Sequence, residues 1–410
     1  MKYILTLSLC VSAATLSAQL QEDTIAAGPS YINEIWYKLD GAVKTTKAVS
    51  EWDIAFMSSN QGSAVRINEG GAVKLWLPAN SDTTNFATLD TTGMASWTTL
   101  YNSDTTWETG AFNKPAAPGD DFDLGWGKYN MVTHAVSGTK IFLLKAADGS
   151  FKKLWIKSLA GGIWTVRFAN LDNSDDHTAT IAKSSYNTKN LVYYNLRTKT
   201  IANREPATSD WDLYFGRYID NSINYLVSGV LINKNLEAAK AYPVADADAY
   251  TDANAFPYSA RINTIGSDWK SFDMSTFQWV IADSTVYFVK DQGGNTFKLI
   301  FTGFGGTGSG AYYFKREKLQ VTSTSESIPT LHHIYPNPLK AGTDLHLVVD
   351  LNGTARISIT DMQGNHTMLQ EIDGNGLGTH RISIPHLATG LYVLQISSGG
   401  HMKTHKLIIR

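Results

Sequence analysis

Part of this chain is written twice. Ile141-Phe142-Leu143-Leu144-Lys145, then Asp148-Gly149, then Lys153-Leu154, return as Val286-Tyr287-Phe288-Val289-Lys290, Gly293-Gly294 and Lys298-Leu299, at a constant offset of 145 residues. A register that survives a strand, a turn and another strand marks a tandem duplication, which restricts the body to two like halves near 24–175 and 180–320. Further upstream, Ser50-Glu51-Trp52-Asp53-Ile54-Ala55-Phe56 is matched by Ser209-Asp210-Trp211-Asp212-Leu213-Tyr214-Phe215, and Trp36-Tyr37-Lys38-Leu39 by Tyr193-Tyr194-Asn195-Leu196.

The repeated runs are apolar, short, and rich in branched and aromatic residues, as strands are. Asp148-Gly149 and Gly293-Gly294 suit two-residue hairpin turns, with Phe151–Ile156 and Thr296–Phe301 as returning strands. Helical periodicity is scarce, Leu236–Ala241 being the nearest candidate. The expectation is an all-β chain: two tandem β domains and, after a polar linker (321–333, with Ser/Thr-rich 322–327), a small C-terminal Ig-like β-sandwich over 334–410.

Composition narrows the function. Of 410 residues, 43% are hydrophobic and 18% charged, with a formal net charge of −2. Real cores can form, and no basic stripe exists for nucleic acid. Residues 1–18 read as a signal peptide: Lys2, the apolar run Ile4–Leu16, and Ala18 before a cut at Gln19. Cys10 lies inside that leader, behind a bulky Leu7 that does not suit a lipobox, so the exported chain holds no cysteine. Disulfides, thiol catalysis and Cys-ligated metals are excluded. Eight of ten histidines follow residue 330, while all eleven tryptophans precede it. The body keeps only His134 and His177. Asp172/Ser174/Asp176 lacks the glycine and distal glutamate of an EF-hand and reads as a solvated turn, as does Asp120-Asp121-Phe122-Asp123. No Gly-x-Ser-x-Gly elbow or His-Glu-x-x-His occurs, and the expectation is no enzyme.

Two resemblances follow. Tyr335-Pro336-Asn337-Pro338, Asp361-Met362-Gln363-Gly364, Gly390-Leu391-Tyr392 and the basic finish Lys406–Arg410 resemble the C-terminal sorting domain of type IX secretion. That implies export through the periplasm to the outer surface or medium of a Bacteroidota-type cell, with the secretion machinery as a partner. The repeated Ser-x-Trp-Asp-x-x-Phe and the hairpin 141–156 with its copy 286–301 resemble the HmuY-type haemophores, secreted β-proteins that bind haem.

That second resemblance implies an axial haem ligand five residues after a tryptophan. Trp126 precedes Met131 and Trp269 precedes Met274 at that spacing, and thioether sulfur is a soft neutral donor suited to haem iron. Met94 is the methionine available for a second position in the first half. The stretch 220–265 offers neither methionine nor histidine, making Met274 the weaker site. His134, three residues past Met131, is a further candidate, read as facing the opposite side of an extended strand. Trp97, Tyr101, Trp107 and Phe112 could wall a porphyrin, or be core. The functional expectation is a haem- or porphyrin-binding surface protein, with an outer-membrane receptor or a host haem protein as further partners. The alternative is the same scaffold without haem, binding a glycan or a protein.

Overall fold

The computed structural model describes residues 20–319, 330–398 and 401–410. The leader 1–18 with Cys10, and the Ser/Thr-rich 322–327, lie outside the described residues. The chain divides into two compact units, one ending at Gln320 and one beginning at Val321. Both are mostly β, as the alternation of apolar and polar residues dictates.

In the first unit, the strands run β1 (Gln21–Ala26), β2 (Asn33–Lys38), β3 (Val43–Ala48), β4 (Ile54–Met57), β5 (Val65–Ile67), β6 (Lys74–Leu77), β7 (Thr98–Leu100), β8 (Gly127–Asn130), β9 (Ala135–Gly138), β10 (Phe142–Lys145), β11 (Phe151–Ala160) and β12 (Ile163–Asn170). The series then recurs as β13 (His177–Ala182), β14 (Leu191–Asn195), β15 (Thr200–Ala202), β16 (Leu213–Asp220), β17 (Tyr225–Ile232), β18 (Glu237–Ala241), β19 (Lys270–Asp273), β20 (Gln278–Ile281), β21 (Val286–Lys290), β22 (Thr296–Phe304) and β23 (Ala311–Leu319). One four-residue helix, Gly306–Ser309, precedes β23.

Sheet order displays the duplication. One large sheet runs β13-β12-β11-β10-β6-β7 and its counterpart β1-β23-β22-β21-β18; the small sheets run β15-β14-β4-β5 and β3-β2-β16-β17. Even the irregularity is repeated: β11 bulges between Ile156 and Ser158, and β22 between Phe301 and Gly303, 145 residues on.

The two sequence copies exchange strands in space. β13, β14 and β15 open the second copy, yet they pair with β12 and β4 of the first. β1, β2 and β3 open the first copy, yet they pair with β23 and β16 of the second. The structural halves are therefore 52–202, which is continuous, and 210–319 closed by 21–48. They share one apolar core in which Trp52, Trp107 and Tyr193 meet Trp36, Trp211 and Tyr214.

The Trp-Asp repeat is the device that fixes this exchange. Asp53 and Asp212 are fully buried. Asp53 Oδ2 accepts the Leu196 N–H at 2.8 Å and meets Arg197 Nε at 3.4 Å. Asp212 Oδ2 accepts the Leu39 N–H at 2.8 Å, and its Oδ1 accepts Lys38 Nζ at 2.9 Å. Each aspartate thus satisfies the orphan donor where the incoming hairpin turns. Lys153 and Lys298, also 145 apart, are buried likewise and reach backbone carbonyls: Lys153 donates to Ala87 and Leu171, Lys298 to Asp248. Each ties a long loop to its sheet.

Two local expectations need correction. Leu236–Ala241 is no helix, because 237–241 pairs with β21 as strand β18; with β21 available as a partner, sheet pairing outweighs the helix propensity of three alanines. The repeated hairpins have three-residue turns, not two-residue ones: Ala146 N–H bonds Ser150 O and Asp291 N–H bonds Asn295 O. Only Gly149 and Gly294 take positive φ, at 86° and 80°, the left-handed position that closes a three-residue turn.

In the second unit, β24 (Thr330–Tyr335), β25 (Asp344–Asp361), β26 (His366–Ser383), β27 (Gly390–Ser398) and β28 (His401–Ile409) surround an aliphatic core that includes Leu345, Leu347, Ile357 and Leu394. The long strand β25 pairs with β24 by its first part and with β27 by its last. Asn337, within the Tyr-Pro-Asn-Pro opening, donates to Lys406 O at 2.8 Å and accepts from Ile408 N at 3.0 Å, clamping the basic final strand.

Candidate functional site

The methionines 131 and 274 occupy the tips of matching hairpins, β8–β9 and β19–β20. The match is confirmed at the hairpin base, where Thr139 N–H bonds Trp126 O and Ala282 N–H bonds Trp269 O. Met131 is 64% exposed and Met274 72%. Their turns also share a left-handed residue, His134 at φ 52° and Phe277 at φ 54°. His134 is thus not the extended-strand residue of the sequence reading. The chain reverses at 131–134 and sets His134 on the same tip as Met131.

The two tips differ in chemistry. In the first, Tyr129 Oη and His134 Nδ1 lie 2.8 Å apart. In the second, the same positions are Phe272 and Phe277, ring centroids 6.4 Å apart. They also differ in attachment. β9 joins the large sheet through Ser137–Ser158 and Val136–Leu159, whereas β19–β20 stands as its own two-stranded sheet. Gly138 permits the first arrangement, since a Cβ there would collide with Ile156 O. The second hairpin has Ile281 at that place.

Beside the first tip lies a pocket of about 450 Å³ whose lining mixes apolar Leu124, Val136 and Leu159 with polar Asn60, Gln61, Ser63, Asp121, Tyr129 and His134; Met131 stands outside it. A porphyrin needs an exposed axial donor next to an apolar wall. The tip supplies Met131 and His134 within one turn, and the Tyr129 hydroxyl on Nδ1 leaves Nε2 as the imidazole's other coordinating position. These residues fit attachment from one side.

Met94 stands elsewhere. It is half-buried in the turn Met94–Ser96, three residues before Trp97, which packs in a cluster with Trp155. The Trp155 indole N–H reaches Gly138 O, at the base of the hairpin. Base and tip are separated by the length of β9, roughly 10 Å at strand rise. The structure therefore sets Met131 and His134 on one turn and Met94 on a different one. The aromatic wall is dispersed too: Trp107 packs on Trp211 and Tyr214 in the central core, Phe112 on Phe142 in the first-half core, and Trp97 in a third cluster. Among the described residues no three His, Cys, Asp or Glu side chains gather as a metal site.

Sequence reasoning missed a buried polar cluster between the halves. Arg204, 1% exposed in its side chain, bonds Glu34 Oε2 at 2.6 Å. Its guanidinium is boxed by Trp36, Trp52 and Tyr193 at 5.4–5.9 Å. Glu34 also accepts from Tyr214 Oη at 2.7 Å. Next to Arg204, Glu205 accepts the N–H groups of Asn190 and Leu191, and burial pushes its carboxyl up to about 7. The adjoining cavity, about 40 Å³, has room for a water or two and not for a porphyrin. The one signal in the sequence was an Arg-Glu pair placed between two apolar strands.

Comparison with known proteins now bears on both units. Residues 187–315 match the HmuY protein family, and residues 333–410 the secretion system C-terminal sorting domain. The chain carries an HmuY domain and a type IX sorting domain. The HmuY match runs from the approach to β14 into β23, which is the second sequence copy; the first is related to it by the repeated sheet order above. The sorting domain implies export to the cell surface or secretion, and no helix among the described residues is long and apolar enough to cross a membrane. No curated protein matches the chain. Among solved structures, a fungal alcohol oxidase of the AA5 family, in complex with copper, covers 95% of this chain and 99% of its own at 8% identity; its TM-score of 0.17 carries no argument.

Proposed function

We propose that this secreted HmuY-type protein binds haem or a related porphyrin at the β8–β9 tip, and works by binding rather than by catalysis. The observation that carries the reading is that Met131 and the Tyr129-bonded His134 share one exposed turn, with His134 also lining a pocket of mixed polar and apolar character. Met131 or His134 would hold haem there, and the haem would supply an iron able to take a side-chain donor. The protein's own part is to present the donor, to orient the imidazole through Tyr129, and to cover one porphyrin face. An outer-membrane receptor or a host haem protein would be the partner in transfer.

The test is a haem titration of the chain without its leader, followed by the Soret band with and without dithionite. One haem per chain is expected, lost in the double variant Met131→Ala/His134→Ala. With methionine as ligand, affinity rises on reduction and is flat between pH 6 and 8; with histidine it falls on acidification. No spectral change in either redox state defeats the reading. It would favour the second one, a surface protein that contacts another molecule through its apolar second tip, where Phe272, Met274 and Phe277 are exposed.

A further inference from the structure

The second structural half is completed from the far end of the chain. In the first half, β13–β15 follow β12 directly across the turn 171–176, so nothing has to travel. In the second half, the three corresponding strands are β1–β3, and without them two sheet edges stand open: β23 along Ala311–Arg316 and β16 along Leu213–Phe215. The side chains that fill the gap, Ile25, Ile35, Trp36, Tyr37 and Leu39, are all at most 2% exposed.

This segment has the properties of a detachable clasp. Its strands make no ladder with any strand of the first half. Beyond the connector 49–53, it meets that half where Glu34 accepts the Trp52 indole N–H at 3.2 Å and Trp36 packs edge-on against Tyr193. Its polar anchors are complementary in charge: Glu34 to Arg204, Lys38 to Asp212, and Asp23 to Arg316 at 3.6 Å. Every one of these contacts is reproduced if residues 20–48 come from another molecule, because only the connector changes.

We propose that the groove between β16 and β23 accepts residues 20–48 of a second copy of this chain, and that the protein dimerises by reciprocal exchange of this segment. The copy already exchanges strands within itself, and closed and exchanged forms share the same interface chemistry. A short tether holds the clasp near its own groove at an effective concentration in the millimolar range. Exchange therefore takes hold when chains fold crowded together, and is then trapped.

The test uses residues 20–410, which contain no cysteine, carrying Thr24→Cys/Tyr313→Cys. These residues face each other across β1 and β23 and are both exposed. The protein is refolded from denaturant either dilute or concentrated, then oxidised. Dilute refolding should give a cross-linked monomer, and concentrated refolding a doubly cross-linked dimer whose fraction grows with concentration. Asp212→Asn on this background loosens the clasp equally in both forms and should leave the dimer fraction at each concentration unchanged. Cross-linked monomer alone at all concentrations overturns exchange. So does a dimer formed equally when dilute-refolded monomer is concentrated and oxidised, since that is a collision product. Absence of any cross-link overturns the β1–β23 pairing itself.

Discussion

The buried aspartates show how a short motif can be legible while its purpose is not. Ser-x-Trp-Asp stands out twice in the sequence, but the groups it serves, Leu39 N–H and Leu196 N–H, lie more than 140 residues away. No local pattern could name them. Asp212→Ala strips an acceptor from a buried N–H and a partner from Lys38, a loss of about 3 kcal/mol, read as a lower urea midpoint with unchanged slope; Asp212→Asn, which keeps an acceptor oxygen, should lose less. Glu205 carries the opposite lesson, since the adjacent Arg204-Glu205 pair marks the spot without telling that burial would shift its titration. Its folded value of about 7 lies above the ordinary 4.5, so between those values the folded chain holds more protons than the unfolded one. Stability from this group is complete below about pH 4.5 and is lost as pH rises through 7, a decline of about 3 kcal/mol. Glu205→Gln should flatten that part of the stability–pH curve and leave the variant more stable than its parent at pH 8.

Among elements, strands and their order were readable wherever apolar runs recurred, because period and turn glycines are local properties. What escaped was geometry that depends on a neighbour. Leu236–Ala241 becomes a strand because β21 is there to receive it, and His134 moves to the tip because the chain reverses within four residues. The two hairpins carry the sharpest case. They descend from one unit, yet β9 is zipped to β11 while β20 lies beside β22 without a hydrogen-bonded ladder, and the difference traces to Gly138 against Ile281. A Cβ at 138 has no room beside Ile156 O and the Trp155 indole nitrogen. Gly138→Ala should therefore cost roughly 1–3 kcal/mol through overpacking. Amide exchange should quicken over 135–138 and remain unchanged over 278–281, which separates local detachment of the hairpin from general destabilisation.

At the scale of the whole molecule, the duplication was written in the sequence but its connectivity was not. Boundaries at 24–175 and 180–320 follow the copies as they were copied, whereas the structure groups 52–202 and joins 21–48 to 210–319, since a strand pairs with whichever edge is open when it arrives. That grouping makes a definite demand. β1 and β23 are antiparallel, with Gln21 opposite Arg316, so the start of the body lies beside its end, and Leu20 and Leu319 pack in the same cluster. A short flexible linker from Leu319 to Leu20 should therefore be tolerated. The chain can then be opened at Ser209–Asp210, which are both exposed, where a new terminus disturbs little. The permuted body, 210–319 followed by the linker and 20–209, contains each half as one uninterrupted segment. It should fold with the parent's circular dichroism spectrum and an unfolding free energy within about 1 kcal/mol of it, given the small cost of closing a short loop. Because the clasp is now tethered at both ends, the permutant should also stay monomeric at concentrations where the parent exchanges. If the halves were instead built as the sequence copies suggest, opening at 209 would cut the second copy between β15 and β16, and the permutant would not reach the native spectrum.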